Sequence, residues 1–339
     1  MSAKTKIEWT DRTWNPLRGC SRVSEGCRNC YAQSVAYRFS GAGLPYEGLA
    51  KKGADGKPVW TNKITLLGDK LTEPMHWKEP QRIFVNSMSD LFHPDVPFAF
   101  IDKVFAVMAL CPQHTFQVLT KRPERMAEYL NDDDLNDRLG MALGNMLDGD
   151  WIWNAGKRFR PRIEKMIGAF LGEDENEPMV ANPTPLKNLW VGTSVESQAT
   201  ADERIPDLVC CPAAIRFISY EPALIGVNFT CIGEWDCNVL HGWKPKVGEE
   251  YTNTGAVDWI IVGGESGKDA RPFDVAWAYD TLNQCKQAGV PCFVKQFGAK
   301  AYYKKNPIVL KDKHGADWEE WPEVFNDLKV REFPNAQSL

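Results

Sequence analysis

Three cysteines fall within eleven residues near the start of the chain: Cys20, Cys27 and Cys30 in "RGCSRVSEGCRNCYAQ". The spacing is C-x6-C-x2-C. Thiolates are soft metal ligands, and a closed structural zinc site takes four ligands, usually through a second CxxC or a His pair. Neither lies nearby. Cys231, Cys237 and His241 form C-x5-C-x3-H far along the chain and read as soft residues of a loop. A disulfide with a spare thiol is disfavoured, because ten cysteines in 339 residues are not a disulfide-scaffold density. Cys111, Cys210, Cys211, Cys285 and Cys292 lie in or beside apolar runs and read as small buried hydrophobes.

Three thiolates on one loop suit an iron–sulfur cluster with one iron left open, where a substrate or cofactor can bind the metal. Gly19 and Gly26 permit tight turns before two of the cysteines, and Pro16 and Ser24 add turn character. The following "YAQSVAYRF" suits a helix whose first amides favour the negative charge of a thiolate-held cluster. The competing expectation is a non-enzymatic zinc-bearing module that binds nucleic acid or serves as an adaptor. Its basis is the same loop, the basic "KRFRPR" (157–162) and thirteen tryptophans. A net charge of -5 and a pI near 5.7 weigh against it, since no global basic field exists.

Such a loop needs a frame. Six short apolar runs have strand character: "RIFV" (82–85), "FQVL" (116–119), "LWV" (189–191), "IRFI" (215–218), "WIIV" (259–262) and "CFV" (292–294). Continuous apolar strands without polar alternation belong to parallel sheets buried on both faces. Helical patterns lie between them, such as 98–111 and 274–289, the second closed by Gly289. The expected fold is α/β: a partial (β/α) barrel of about six or seven parallel strands, one domain over 1–339 with inserted segments. Each run breaks into polar residues at its end: Ser87 and Asp90, Lys121 and Arg122, Ser194 and Glu196, Glu221, Gly263-Gly264-Glu265, and Lys295 with Gln296. In a parallel barrel these ends share the face where active sites are built. Residues 131–185 read as a charged, partly helical insertion or lid, 228–256 as an inserted loop, and 41–60 as a long loop. No window is apolar enough for a membrane span and no signal core opens the chain, so a cytoplasmic protein is expected.

The cysteine loop before a helix, at the entrance to such a barrel, resembles the radical S-adenosylmethionine (SAM) superfamily. The superfamily's usual spacing is C-x3-C-x2-C, with an aromatic before the third cysteine. Here the first gap holds six residues, Asn29 takes the aromatic's place and Tyr31 follows. A closer resemblance rests on "IEWTDRTWNPLRGC", "CRNCYA", "FVNSMSDLFH", "LTKRPERM", "WVGTSVES", "ISYEPAL", "IIVGGESG" with "ARP", and "VKQFG". In these the chain is similar to a family of phage-borne and bacterial three-Cys-motif proteins of unknown function, itself distantly similar to spore photoproduct lyase. The resemblance implies a radical SAM enzyme in which Cys20, Cys27 and Cys30 ligate a 4Fe–4S cluster and SAM chelates the fourth iron. It implies cofactor contacts from Ser87, Asp90, Lys121, Arg122, Ser194, Glu196, Gly263, Gly264 and Glu265. Glu221, Lys295, Gln296 and Arg271 fall on the substrate side, the first three as catalytic candidates. An electron donor such as flavodoxin or ferredoxin is implied, and the distant likeness points to a nucleic acid or nucleotide as substrate.

Overall fold

The computed structural model describes residues 5–148, 156–171, 184–233, 237–242, 246–247, 250–251 and 255–335. Seven strands form one sheet whose spatial order follows the chain: β1 (Arg12–Trp14), β2 (Arg82–Val85), β3 (Thr115–Thr120), β4 (Leu189–Ser194), β5 (Ile215–Tyr220), β6 (Trp259–Gly263) and β7 (Cys292–Gln296). Every neighbouring pair is parallel. The sheet curls into a half-barrel, as the buried apolar runs require. All six expected strands are present. The seventh, "RTW", is three residues long with only Trp14 buried, so its apolar pattern is too short to read.

Alternation within the strands shows why both faces are apolar. Phe84, Phe217, Trp259, Ile261 and Phe293 fill the concave face, together with Trp9 and Trp190. Their neighbours Ile83, Val85, Ile218, Ile260, Val262, Cys292 and Val294 face outward into the larger core beneath the helices. Gly192 leaves room for the Phe217 ring, whose atoms lie 2.7 Å from where its Cβ would stand.

Outside the sheet run α1 (Tyr31–Arg38), α2 (Phe98–Ala109), α3 (Pro123–Leu130), α4 (Leu135–Asp148), α5 (Gly156–Leu171), α6 (Gln198–Val209) and α7 (Val275–Ala288). Caps set their ends. Ser197 and Thr200 form a capping box at the start of α6. Asp274 Oδ1 accepts from the Ala276 amide at 3.0 Å, and Gly289 closes α7 with φ 69°.

Two expectations change. Residues 41–60 are not one long loop: Ala50–Lys52 and Pro58–Trp60 pair as an antiparallel hairpin. Its turn is held by Asp55, which accepts from the Lys57 amide at 3.0 Å, and Gly56 takes φ 78°. The described part of 131–185 is no lid. Leu135, Leu139, Leu143 and Met146 of α4 and Ile163 of α5 join the outer core; α4 packs on α2, and α5 packs on α4. In "KRFRPR", Arg160 pairs with Glu164 at 3.1 Å and Arg162 donates to Gln113. The 228–256 loop falls partly outside the described residues; within it Ile232 and Cys237 pair as a backbone bridge.

The chain ends seal the barrel floor. Arg331 bridges Phe293 of β7, and Phe333 packs on Trp259 and Phe293. Arg331 also pairs with Glu8, just before β1, at 2.6 Å, which ties the two edges of the half-barrel together. No helix among the described residues is long and apolar enough to cross a membrane.

Candidate functional site

The C-terminal ends of the strands open into a cavity of about 300 Å³. Cys20, Cys27 and Cys30 all line it, as do Ser87, Asp90, Lys121, Arg122, Ser194, Glu221, Gly264, Glu265, Lys295 and Gln296. Curling brings to one mouth residues that the chain scatters over almost three hundred positions. Gly263 and Glu196 stand behind the lining, and Arg271 sits at its rim against Glu265.

The cysteine loop leaves β1 through the short pair Leu17–Arg18 with Thr65–Leu66. Gly19 takes φ 92°, where a Cβ would lie 2.1 Å from the Lys63 carbonyl, so the turn requires glycine. Cys30 is the N-cap residue of α1. The amides of Ala32 and Gln33 face its sulfur and favour a thiolate, while burial pushes the thiol the other way, and burial wins. Behind the cysteines, Ala32, Ala36, Ala50 and Trp60 form a small apolar core in contact with Cys20 and Cys30. Burial, reinforced by Asp90, pushes the Cys20 thiol up to about 12 against the pull of Arg122.

Polar groups at the strand ends hold this loop in place. Glu196 is 2% exposed, and its Oε1 accepts from the Gly26 amide at 3.2 Å. Its Oε2 faces Arg204 at 3.1 Å and Lys121 at 3.5 Å. Burial alone would raise this carboxyl; Lys121, Ser24, Arg204 and the Gly26 amide outweigh it and hold it below the usual range. Glu265 plays the matching part three residues along the loop. It accepts from Asn29 Nδ2 at 3.1 Å and from the Arg271 guanidinium at 2.7 Å. Arg271 and Asn29 outweigh burial and keep Glu265 ionised. At the first cysteine, Arg122 Nη2 donates to Ser21 Oγ at 2.7 Å while its Nη1 pairs with Asp90 at 2.6 Å. Asp90 also accepts from Thr120 Oγ1 at 2.7 Å. Ser21 Oγ meets His93 Nε2 at 2.8 Å.

Glu196 and Glu265 are thus held by the loop and by arginine partners, and Asp90 by Arg122. Glu196 positions the loop and does not line the cavity, whereas Asp90, Arg122 and Glu265 hold the loop and line the cavity as well. The glycine pair also serves the protein itself. A Cβ on Gly263 would lie 2.8 Å from Glu221 Oε1, and one on Gly264 would lie 2.2 Å from the Phe297 carbonyl. Ser87 Oγ donates to Asn15, and its carbonyl accepts from the Tyr31 hydroxyl. Gln296 Nε2 donates to the Gly264 carbonyl at 2.8 Å. On the wall opposite the cysteines, Lys295 Nζ and Glu221 Oε1 pair at 2.9 Å, 21% and 14% exposed. Of the two ion pairs among the described residues with both partners on the cavity lining, theirs is more open than Arg122 with Asp90. Arg204, Ser21, His93 and Asn29 escaped the sequence reading. Asn29 and His93 sit inside quoted motifs, whereas a buried helical arginine such as Arg204 carries no local signal.

The donor set fits a sulfur-ligated cluster in chemistry: three thiols on one loop, a helix N-terminus at the third, and a guanidinium beside the first. Among the described residues, no three His, Cys, Asp or Glu side chains are gathered closely enough to hold a single metal ion. A multi-iron cluster uses one thiolate per iron atom, so its ligands stand around it rather than on one point.

No curated protein and no solved structure matched the chain. One family model matched residues 4–323, nearly the whole sequence, and by it the chain belongs to the family described as protein of unknown function (DUF5131).

Proposed function

We propose that the protein is a radical SAM enzyme. The observation that carries this reading is the convergence of Cys20, Cys27 and Cys30 with the polar strand ends on a single cavity at the C-terminal mouth of a parallel half-barrel. In this reading Cys20, Cys27 and Cys30 would hold a 4Fe–4S cluster, with SAM bound beside it in the cavity. When bound, cluster and SAM would supply one-electron reductive chemistry that can remove a hydrogen atom from a substrate.

The chain's own residues supply binding, orientation and exclusion of water. Arg122 and the first amides of α1 set positive potential beside the thiolates. The apolar wall of Ala32, Ala36 and Trp60 shields Cys20 and Cys30 where it packs against them. Ser194, on the cavity lining, offers its hydroxyl to a sugar. Glu221 and Lys295 face the substrate side, where a paired acid and base can orient a polar group or hold a proton. The electron donor in this reading is a small carrier protein such as flavodoxin or ferredoxin.

The test is anaerobic reconstitution with iron and sulfide, then dithionite and SAM. The expected result is four irons per chain and release of 5′-deoxyadenosine. Reconstituted protein that carries the cluster and makes none would sink the proposal. One tight zinc and no iron would instead support a metal-stabilised binding module.

A further inference from the structure

Charge is not spread evenly over this acidic chain. Within the excursion between β1 and β2, residues 17–66 contain eight Lys/Arg and three Asp/Glu, a local charge of +5 in a protein of net -5. The remaining residues together carry -10. The excursion is a structural unit, closed by the pairing of Leu17–Arg18 with Thr65–Leu66, and it contains the cysteine loop, α1 and the 50–60 hairpin. Arg38, Lys51, Lys52 and Lys63 are exposed and form no ion pair with a carboxylate among the described residues.

The same unit carries apolar surface that nothing covers. Of the eleven large apolar side chains exposed among the described residues, seven belong to 17–66, including Tyr31, Val35, Tyr37 and Phe39. The helix explains their arrangement. Ala32 and Ala36 pack α1 onto Ala50 and Trp60 of the hairpin. Tyr31, Val35 and Arg38, at i, i+4 and i+7, then form a stripe on the outward face. That stripe starts at the cavity, because Tyr31 lines it. Tyr31 is 55% exposed, yet its hydroxyl is tied to the Ser87 carbonyl, so the ring is held in place.

We infer that this collar docks a single-stranded nucleic acid and leads it to the cavity. Basic side chains around exposed aromatic rings are what such a strand needs: cations follow the phosphates and rings stack on bases. A duplex offers its bases only in grooves, and a stripe starting at a cavity mouth suits an unpaired base better. The acidic remainder of the chain confines a polyanion to this side. This names a substrate class for the site proposed above and rests on that reading for its chemistry. The binding itself does not depend on it.

The test is fluorescence anisotropy with a labelled twelve-nucleotide oligo(dT), measured over a range of salt concentrations on the full chain. Three or four phosphate contacts predict that log K falls with log salt at a slope of about -2 to -3. Lys51→Glu with Lys52→Glu should weaken binding about tenfold, as should Tyr31→Ala, while Tyr31→Phe keeps the ring and the affinity. Lys286→Glu, at the end of α7 on the barrel's opposite side, should change it by less than about twofold. Folding of each variant is checked by thermal melting. The inference is overturned by absence of binding at low salt, by equal losses in the Lys51/Lys52 and Lys286 variants, or by equal displacement with polyglutamate, which would point to an acidic protein. Oligonucleotide binding without SAM cleavage would overturn the enzyme reading alone, and SAM cleavage without binding would overturn the docking alone.

Discussion

Glu196, just beyond the end of β4, accepts a hydrogen bond from the amide of Gly26 at 3.2 Å, across 170 residues of sequence. A buried carboxylate thus grips the cysteine loop one residue before Cys27. Glu265, from the turn after β6, grips it again through Asn29, one residue before Cys30. Two strand ends hold the two closely spaced cysteines in register with the cavity.

Loss of that grip should be costly. Glu196→Gln keeps an acceptor for Gly26 but leaves Arg204 and Lys121 facing a neutral group. Breaking a buried pair from one side costs on the order of 3 kcal/mol. The pH dependence follows from the direction of the shift. The folded carboxyl lies below its ordinary value, so its contribution is present above the unfolded pKa and is lost as pH falls through the folded pKa. Wild-type Tm should fall as pH drops through and below the ordinary glutamate range, and Glu196→Gln should fall less over the same range. Calorimetry on both proteins checks this; parallel curves would refute it.

Gly26 and Glu196 should be energetically coupled. A Cβ at position 26 would meet the Glu196 carboxyl carbon at 2.9 Å. Gly26→Ala should cost about 1–3 kcal/mol and lower the iron retained after reconstitution. In a Glu196→Ala background the clash is gone, so the added cost of Gly26→Ala should shrink by about 1 kcal/mol. Denaturant unfolding of the four proteins completes the cycle, and strict additivity would contradict the contact.

Cys20 should be a slow nucleophile in metal-free protein. With its thiol pushed up to about 12, chiefly by burial and then by Asp90, alkylation by iodoacetamide should rise with pH through 7 to 9 without levelling. Asp90→Asn removes a negative neighbour and should speed the reaction. Arg122→Leu removes the opposing cation and should slow it. Peptide mass spectrometry after timed labelling gives the rate at Cys20, and the reverse order of the two variants would contradict the electrostatics.

Cys27→Ala should remove the cluster and SAM cleavage together. It should leave the half-barrel intact, because Cys27 is only half-buried and contributes nothing to the large cores. Circular dichroism, iron analysis and 5′-deoxyadenosine release are the three measurements. A variant that retains iron and activity would remove Cys27 from the ligand set.

Much of this architecture could be read from local sequence. "WIIV" and "CFV" became β6 and β7 because uninterrupted apolar strands suit a sheet covered on both faces, and that preference acts within a few residues. Asp274 and Gly289 bracket α7 for the same local reason. The hairpin at 50–60 was missed because its strands have only three residues each, two of them lysines in the first. Tertiary contact with α1, not propensity, makes them strands.

The sequence by itself determined the donor set: three thiols on one loop ahead of a helix, and polar residues at the end of each buried strand. Those follow from residue type and spacing. Only the tertiary structure decided what each polar end does. Glu196, Asp90 and Arg122 looked equivalent to Lys295 and Glu221 along the chain. Folding buries Glu196 behind the cavity wall, ties Asp90 and Arg122 to each other and Arg122 to the cysteine loop, and pairs Lys295 with Glu221 on the cavity lining. A charged group is assigned to a partner by distances across the barrel mouth, and those depend on how the sheet curls rather than on any neighbour in sequence.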